Sequence, residues 1–246
     1  MARAAKSSAP LISVVVPVFD EEGAAPGLAR EIAAAFEGRN HEIIFVDDAS
    51  RDGTRAALGA LKTEIPPTAR PGASQELRPE PLGPHRDSGP RGEVIVTLDG
   101  DGQNDPADGP KLVDALLAGP PDLALVGGER VKRQDSHAKK WASRVGNGVR
   151  KRLLKDTAND TGCGLKAFRR DAFLRLPYFD HIHRYLPALM LREGYQTAFL
   201  PVHHRNRETG VSKYTNLGRL WVSLSDLYGV MWLQSRSRLP GQVDEI

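Results

Sequence analysis

The sequence predicts an α/β domain with an open, mostly parallel sheet and helices on both faces. Two observations support this fold class. Apolar strands alternate with helical segments between residues 11 and 130, in the order that right-handed strand–helix–strand units require. Acidic residues directly follow three of these strands. Because ligands of open parallel sheets bind outside the carboxyl ends of the strands, we expect these acidic residues to form one site.

The predicted strands are continuous apolar runs, which is typical of strands covered on both faces. They are LISVVVPVF (11–19), HEIIFVDDAS (41–50), GEVIVTLDGDG (92–102) and PDLALVGGER (121–130). The segments between them have helical spacing, with Gly38 as a stop signal and Asp52 or Thr54 near a helix start. They are GAAPGLAREIAAAFEG (23–38), RDGTRAALGALKTE (51–64) and PKLVDALLAG (110–119).

The pattern changes after residue 130. Four segments follow: a basic helix (136–156), a turn leading into a short strand and helix (161–173), a helix followed by a strand (185–207), and an apolar helix (217–238). We therefore predict a flexible N-terminus (1–10), one domain (11–215), and an amphipathic C-terminal helix with its tail (216–246). A Pro-rich segment (66–91) without apolar periodicity interrupts that domain.

Composition limits the classes of partner. The chain has 246 residues, is 40% hydrophobic, and carries a formal charge of only +3, which does not predict a nucleic-acid partner. Its single cysteine, Cys163, forms no disulfide within the chain, which fits a reducing cytoplasm. No apolar stretch reaches the roughly 18 residues that span a bilayer. We expect a protein on the inner face of the membrane, attracted to anionic lipids by Lys139, Lys140, Arg150, Lys151 and Arg152.

The run VTLDGDGQNDP (96–106) predicts a metal site. Asp99 and Asp101 alternate with Gly100 just past a strand, and Gln103 follows. Carboxylate and amide oxygens suit Mg²⁺ or Mn²⁺, and the absence of His and Cys from the run argues against zinc. The alternative is a solvated Asp/Gly turn, which the two other acidic strand ends make less favourable.

Three motifs together resemble glycosyltransferase family 2. They are VVVPVFDEE (14–22), IIFVDDASRDGT (43–54) and VIVTLDGDGQNDP (94–106). The segments GERVKR (128–133), ASRVGN (142–147) and HRNRETGVSKY (204–214) resemble its dolichyl-phosphate mannose synthase branch. The resemblance covers most of residues 11–235 except 62–91, and it implies the GT-A fold of nucleotide-diphospho-sugar transferases.

The resemblance also implies roles for individual residues. The implied metal ligands are Asp99, Asp101 and Gln103. The implied contacts to the nucleotide sugar are Pro17, Phe19, Glu21, Val46, Asp48, Asp99, Gly100, Asp101, Gln103, Arg130, Arg207 and Lys213. Arg130 and Arg144 correspond to arginines near the acceptor phosphate, and the implied catalytic set is Asp99, Asp101, Arg130 and Lys213. Phe19 stands where the family usually has Tyr, and Asp20 where it has Asn. For Pro17 and Val46, simple strand packing is an equally good interpretation.

The expected reaction is metal-dependent transfer of a sugar, with inversion, from a nucleotide-sugar donor to polyprenyl or dolichyl phosphate. GDP-mannose is the first expectation for the donor. One alternative is transfer from a UDP-sugar to a lipid or glycan hydroxyl, for which Asp105 is the nearest candidate base, although it also suits a turn. A second alternative is an inactive homologue that binds a membrane partner. The sequence does not predict an oligomeric state. The histidines of HIHRYLP suit gating or packing better than metal binding, and the C-terminal helix suits either the core or a membrane surface.

The Pro-rich segment departs from the pattern that relatives of this family carry at that place. We hypothesise that it is a frameshifted stretch restored near Arg91. With suitable codons, QELRPEP read one base along gives Lys-Asn-Cys-Gly-Gln-Ser, which is close to the family pattern. Sequencing the gene tests this, and a true frameshift would predict a poorly folded or inactive chain.

Overall fold

The structure is a computed structural model that describes residues 9–64, 90–131, 148, 150–205 and 216–236. Its first part follows the predicted alternation of strands and helices. The elements there are β1 (Ile12–Val18), α1 (Ala25–Ala35), β2 (His41–Asp47), α2 (Thr54–Glu64), β3 (Val94–Thr97), α3 (Gly109–Ala118) and β4 (Leu123–Arg130). The later part contributes β5 (Lys166–Arg169), α4 (Arg170–Phe173), α5 (Leu186–Arg192), β6 (Gln196–Val202) and α6 (Asn216–Arg236).

The strands form one six-stranded sheet in the order β2-β1-β3-β5-β4-β6. β1 is parallel to β2 and β3, and β4 is parallel to β6. β5 is inserted between β3 and β4 and runs antiparallel to both. The predicted open and mostly parallel sheet is therefore confirmed, and β5 is its single antiparallel strand among the described residues.

Helices cover both faces of this sheet, as predicted. The first core packs α1, α2 and α3 against one face, with Ile32, Leu61 and Leu112 essentially buried. The second core packs α5 and α6 against the other face through residues such as Leu189 and Val230. Continuous apolar strands are stable here because both of their faces are removed from water.

The register of the central strands brings the acidic strand ends together. In β1 and β2, Pro17 is opposite Val46, and β3 runs beside β1 with Thr97 opposite Val15. A Cβ atom at Gly100 would lie 2.5 Å from the Pro17 carbonyl oxygen, so the chain after β3 passes directly against the end of β1. The absence of a side chain at Gly100 is what permits this approach.

The C-terminal helix α6 divides its apolar residues between two faces. Leu227, Val230 and Met231 pack in the second core. Leu224, Tyr228 and Trp232 follow one another at four-residue spacing and are 49%, 73% and 52% exposed. The core interpretation therefore applies to one face of this helix, and the membrane-surface interpretation of the exposed face stays a prediction. Among the described residues, no helix has the length and apolar character needed to cross a bilayer.

One basic residue expected to attract lipid is instead buried. Arg150 is 8% exposed, and its guanidinium binds the Asp156 carboxylate at 2.7 Å and the Ala158 carbonyl oxygen at 2.6 Å. The expectation of a solvated Arg150 is wrong because the turn after residue 154 supplies these partners for its charge. Several predictions lie outside the described residues: those for Arg144, Arg207 and Lys213, for most of the basic helix, and for residues 66–89.

Candidate functional site

Hydrogen bonds at both ends of the loop after β3 hold this loop in place. The Asp99 amide donates to the Asn104 side-chain oxygen at 3.0 Å, and the Gln103 amide donates to the Asp101 carboxylate at 3.2 Å. The Gln103 carbonyl oxygen accepts from the Arg205 amide at 2.9 Å, which joins this loop to the chain after β6. Gly102 has a φ of 72°, a conformation that favours glycine. The loop that carries both aspartates is thus fixed before any ligand binds.

Asp99 has an unfavourable electrostatic environment for a carboxylate. Its side chain is accessible to solvent, yet the surrounding walls desolvate it. This desolvation raises the pKa of Asp99, and the neighbouring charge of Asp101 raises it further. The positive charges of Lys166 and Arg130 act in the opposite direction. A cation bound between Asp99 and Asp101 would relieve the repulsion between them.

The donor set fits Mg²⁺ or Mn²⁺. Asp99, Asp101 and Gln103 offer oxygen atoms from one short loop, and hard divalent cations prefer oxygen ligands and accept further oxygens from a phosphate. The described part of the chain holds no cluster of three or more His, Cys, Asp or Glu residues suited to a metal ion. A cation at this loop would therefore need oxygens from a bound ligand or from water to complete its coordination.

The ends of β1 and β2 present accessible side chains beside this loop. Pro17 and Asp48 are exposed, and Phe19 is 37% exposed. The Asp48 amide donates to the Val18 carbonyl oxygen at 2.9 Å, which places Asp48 next to the end of β1. Val46 is only 8% exposed, so the packing interpretation suits it better than it suits Pro17. The three acidic strand ends therefore meet at one edge of the sheet, as the sequence predicts.

The loops after β1 and β2 hold each other in place. The Asp20 and Glu21 amides donate to the side-chain hydroxyls of Ser50 and Thr54, at 3.0 and 2.9 Å. Asp52 accepts from the Thr54 amide at 3.0 Å and from the Glu22 amide at 3.2 Å. The predicted capping role of Asp52 is thus present, together with a second role that joins the two loops. Asp20, in the family's Asn position, has a φ of 51° and accepts from the Arg51 amide at 2.7 Å.

Arg130 lies at the opposite side of the site and is bound to a residue that sequence reasoning missed. Its Nε and Nη2 atoms donate to the two carboxylate oxygens of Asp160, at 2.6 and 2.7 Å. Both side chains are largely buried, 15% and 11% exposed. Burial lowers the pKa of Arg130, but the hydrogen bonds and charge of Asp160 outweigh it, and the charge of Asp99 adds to them. Two of the three guanidinium nitrogens are therefore committed to Asp160, and Arg130 has little freedom to reorient toward a ligand.

Asp105, the candidate base for a hydroxyl acceptor, has a structural role. One of its carboxylate oxygens accepts from the Ala107 amide at 3.0 Å and caps the short 3₁₀ turn Pro106–Asp108. The same oxygen accepts from Arg205 at 2.9 Å. The turn interpretation of Asp105 is the one that the structure supports.

Two histidines of the HIHRYLP segment lie near charged groups of the site and of α6. The His183 side chain is exposed at the surface, but the atoms packed around it partly desolvate the ring, and together with the positive charges of Lys166 and Arg184 this lowers its pKa to about 4. The neighbouring His181 lies 3.5 Å from the Asp226 carboxylate on α6. Since α6 also accepts a hydrogen bond from Tyr185 at the Ser223 carbonyl oxygen, this segment is fastened to the C-terminal helix.

Comparison with known families identifies a sequence match over most of this architecture. The profile of the family described as "Glycosyl transferase family 2" matches residues 13–70 and 90–176. It therefore includes β1 to β5 and the candidate metal loop, and it is interrupted within the Pro-rich segment. The frameshift hypothesis stays a prediction, and this interruption is in keeping with it.

Similar proteins include several transferases. An undecaprenyl-phosphate 4-deoxy-4-formamido-L-arabinose transferase of Sodalis glossinidius is 34% identical over 213 residues, covering 83% of this chain and 63% of that protein. A dodecaprenyl-phosphate galacturonate synthase of Rhizobium johnstonii is 30% identical over 243 residues, covering 94% of this chain and 69% of that protein. The chain thus spans less than two thirds of the first of these relatives.

Solved structures share the fold at low sequence identity. Glucosyl-3-phosphoglycerate synthase from Mycobacterium tuberculosis, in complex with Mn²⁺, UDP and glucosyl-3-phosphoglycerate, has a TM-score of 0.57 at 20% identity and covers 94% of this chain and 81% of its own. A mannosyltransferase from Pyrobaculum calidifontis, in complex with GDP-Man and Mn²⁺, has a TM-score of 0.59 at 16% identity. The match covers 96% of this chain and 67% of that one. The expected GT-A nucleotide-sugar transferase fold is therefore confirmed.

Proposed function

The chain belongs to glycosyl transferase family 2, and from this premise we propose that it transfers a sugar from a nucleotide-sugar donor to a polyprenyl phosphate at a membrane surface. The observation that carries the proposal is the pairing of Asp99 and Asp101 at an edge where the ends of β1, β2 and β3 converge. Two adjacent carboxylates in a desolvated recess favour a cation and, through it, a diphosphate.

In this proposal the donor lies across the ends of β1, β2 and β3. Pro17, Phe19 and Asp48 contact the nucleoside from their accessible positions. Glu21 and Val46 belong to the same surface, with Val46 as packing beneath it, and Gly100 lets the diphosphate approach the backbone. Asp99, Asp101 and Gln103 hold Mg²⁺ or Mn²⁺, which supplies charge neutralisation for the departing diphosphate. Arg130, fixed by Asp160, adds positive charge on the other side.

The acceptor is proposed to be a phosphate monoester of a polyprenol. A phosphate oxygen attacks the anomeric carbon, the bond from that carbon to the donor's diphosphate oxygen breaks, and the nucleoside diphosphate leaves with the electron pair. A phosphate is already an anion, so this step needs no base, and direct displacement inverts the anomeric centre. The engagement of Asp105 by Ala107 and Arg205 supports a phosphate acceptor over a hydroxyl. Arg144, Arg207 and Lys213 stay proposed phosphate contacts from the resemblance alone.

The identity of the sugar is the least constrained part of the proposal. Mannose was the first expectation, whereas the printed names of the similar transferases above refer to 4-deoxy-4-formamido-L-arabinose and galacturonate. We therefore propose a hexose, uronic acid or amino-pentose donor.

The exposed face of α6 supports the membrane part of the proposal. Leu224, Tyr228 and Trp232 form an apolar stripe, and the Arg236 guanidinium lies 5.8 Å from the Trp232 ring centroid. Aromatic side chains beside arginine suit the headgroup region of an anionic bilayer. A cytoplasmic, peripheral location on the inner face follows from this proposal and from the nucleotide-sugar donor.

The test is a transfer assay with purified protein. Radiolabelled GDP-mannose, UDP-glucose and the nucleotide-linked forms of galacturonate and 4-deoxy-4-formamido-L-arabinose are each incubated with Mn²⁺ and undecaprenyl phosphate. We expect one donor to give a product that extracts into organic solvent, and we expect Asp101→Asn to abolish it. Transfer only to a hydroxyl-bearing lipid would overturn the phosphate acceptor. Donor binding without turnover would favour the inactive binding homologue.

A further inference from the structure

A fully enclosed lysine lies at the base of the candidate site. Lys166 is the first residue of β5, is 4% exposed, and pairs with Thr97 of β3 on one side and Gly127 of β4 on the other. A charge in the centre of a sheet is costly unless other groups compensate it. The partners of Lys166 therefore indicate what its side chain does.

The side-chain alternation of the strands places Lys166 beneath Asp99. Phe168 and Ile95 both belong to the second core, on the face covered by α5 and α6. Lys166 is two residues from Phe168 on β5, so the alternation directs it toward this face. Its partner on β3, Thr97, donates to the carbonyl oxygen of Gly164, and Gly164 lies against the Asp99 carboxylate. In agreement with this, the charge of Lys166 acts on Asp99 more strongly than that of Arg130 does.

The chain immediately before Lys166 is pressed between Arg130 and Asp99. We call residues 160–165 the glycine turn. A Cβ atom at Gly164 would lie 2.3 Å from the carboxyl carbon of Asp99, and one at Gly162 would lie 3.0 Å from Nη2 of Arg130. The glycine turn therefore lies between the Asp99 carboxylate and the Arg130 guanidinium and sets the distance between them.

Lys166 anchors the glycine turn from below. Its ammonium donates to the Cys163 carbonyl oxygen. The Thr97 hydroxyl donates to the Gly164 carbonyl oxygen at 2.8 Å, and Asp160 at the other end of the turn binds Arg130. Since Arg130 is already committed to Asp160, Lys166 is the second basic residue of this cluster.

We propose that Lys166 is a positioning residue that holds Asp99 and the glycine turn in the arrangement needed to receive a metal-bound diphosphate. This inference rests on the proposed function. Its bond to the Cys163 carbonyl oxygen fixes the turn whose Gly164 lies against the Asp99 carboxylate. Lys166 itself touches no substrate.

A purely structural lysine and a positioning lysine predict opposite results for methionine. Met has nearly the same length and is apolar, but it leaves the Cys163 carbonyl oxygen without its donor, which costs stability. If Lys166 serves only the fold, Lys166→Met should lose stability but, while folded, should bind the ligand as the wild type does. If Lys166 positions Asp99, the variant should keep its fold and lose ligand binding.

The experiment measures binding of Mn²⁺ with UDP or GDP, by calorimetry and by electron paramagnetic resonance of Mn²⁺, for the full chain and its variants. We expect Lys166→Met to melt below the wild-type temperature, to stay folded at the temperature of the assay, and to weaken metal-dependent nucleotide binding ~10- to 100-fold, as loss of a residue that orients a metal ligand does. Lys166→Arg, which keeps the charge, should recover at least half of the lost binding free energy. Arg169→Met is the matched control, because Arg169 is on the same strand and binds the Leu123 carbonyl oxygen away from the site; its nucleotide binding should stay within twofold of wild type.

Three results would contradict the inference. Wild-type binding by Lys166→Met would overturn it, as would a loss of binding shared equally by Arg169→Met. If Lys166→Met does not fold, equal binding by Lys166→Arg and Lys166→Gln in folded protein would overturn it. Failure of the wild-type chain to bind Mn²⁺ with either nucleotide is a separate outcome, which overturns the proposed function and removes the premise of this inference.

Discussion

The two walls of the candidate site are held by different kinds of interaction. The loops after β1 and β2 bind each other through single hydrogen bonds from backbone amides to the Ser50 and Thr54 hydroxyls and the Asp52 carboxylate. The opposite wall is fixed by buried charges, the Arg130–Asp160 pair and Lys166. A neutral hydrogen bond contributes about 1 kcal/mol, whereas breaking a buried charge pair costs several kcal/mol. The first wall should therefore tolerate substitution and the second should not.

The largest expected effect concerns the loop between the walls. Asp101→Asn removes one carboxylate from the metal loop, so we expect metal-dependent nucleotide binding and turnover to fall at least ~100-fold. The melting temperature should stay the same or rise, because repulsion of Asp99 disappears. Asp171→Asn, an exposed carboxylate on α4, is the control and should change neither quantity. Unchanged metal dependence in Asp101→Asn would remove Asp101 from the site.

The second prediction compares a buried charge pair with an exposed one. Asp160→Asn leaves the Arg130 charge without its bidentate partner, and we expect it to lower the free energy of unfolding by about 3 kcal/mol. Asp114→Asn breaks the Arg39–Asp114 pair, whose side chains are 32% and 60% exposed, and should cost about 0.5 kcal/mol. Denaturant unfolding measures both. Equal costs would mean that burial does not distinguish the two walls.

The third prediction tests the contact between the second wall and the metal loop. Gly164→Ala places a methyl group against the Asp99 carboxylate, and we expect donor binding to weaken roughly 10-fold or more because a metal ligand is displaced. Gly59→Ala in α2 has open space around its Cβ position and should stabilise the helix by about 0.5–1 kcal/mol without affecting binding. Titration calorimetry and thermal melting separate the two effects. Normal binding by Gly164→Ala would show that Asp99 adjusts freely.

A smaller effect is expected far from both walls, on the exposed face of α6. Replacing Leu224, Tyr228 and Trp232 by Ser should reduce sedimentation with anionic vesicles ~10-fold, since buried apolar area and headgroup contacts are lost. The melting temperature should change little because these side chains are outside the second core. Leu117→Ser, at an exposed position on α3, is the control. Undiminished sedimentation of the triple variant would place the membrane contact elsewhere.

The smallest effect concerns pH. The pKa of His183, about 4, is lower in the folded protein than its ordinary value of 6.5. Between these values the unfolded chain binds a proton that the folded chain does not, so the contribution of neutral His183 is complete above pH 6.5 and is lost as the pH falls toward 4. Between pH 7 and pH 5, the melting temperature of His183→Gln should therefore fall less than that of the wild type. An equal or larger loss in the variant would contradict this assignment.

Local sequence signals were sufficient to predict that the acidic ends of β1, β2 and β3 lie at one edge of the sheet. The acidic strand ends followed buried strands in a strand–helix alternation, and that alternation permits few topologies. The interpretations that needed correction involve partners that come together only when the chain folds. Arg150 seemed solvated because Asp156 and the Ala158 carbonyl oxygen become its partners only in the folded turn, and Asp160 gave no signal in the sequence beyond its charge. The sequence shows Lys166 as a charged residue at the start of a short apolar strand, but that position does not indicate which residues surround it in the fold.

The sequence by itself determined the strands, the helices and the three acidic ends, because apolar periodicity and turn residues act over a few positions. Only the tertiary structure decided that β5 runs antiparallel between β3 and β4 and thereby places Lys166 beneath Asp99. Pairing of strands about 70 residues apart is decided by competition among long-range contacts and loop closure, which local patterns do not encode.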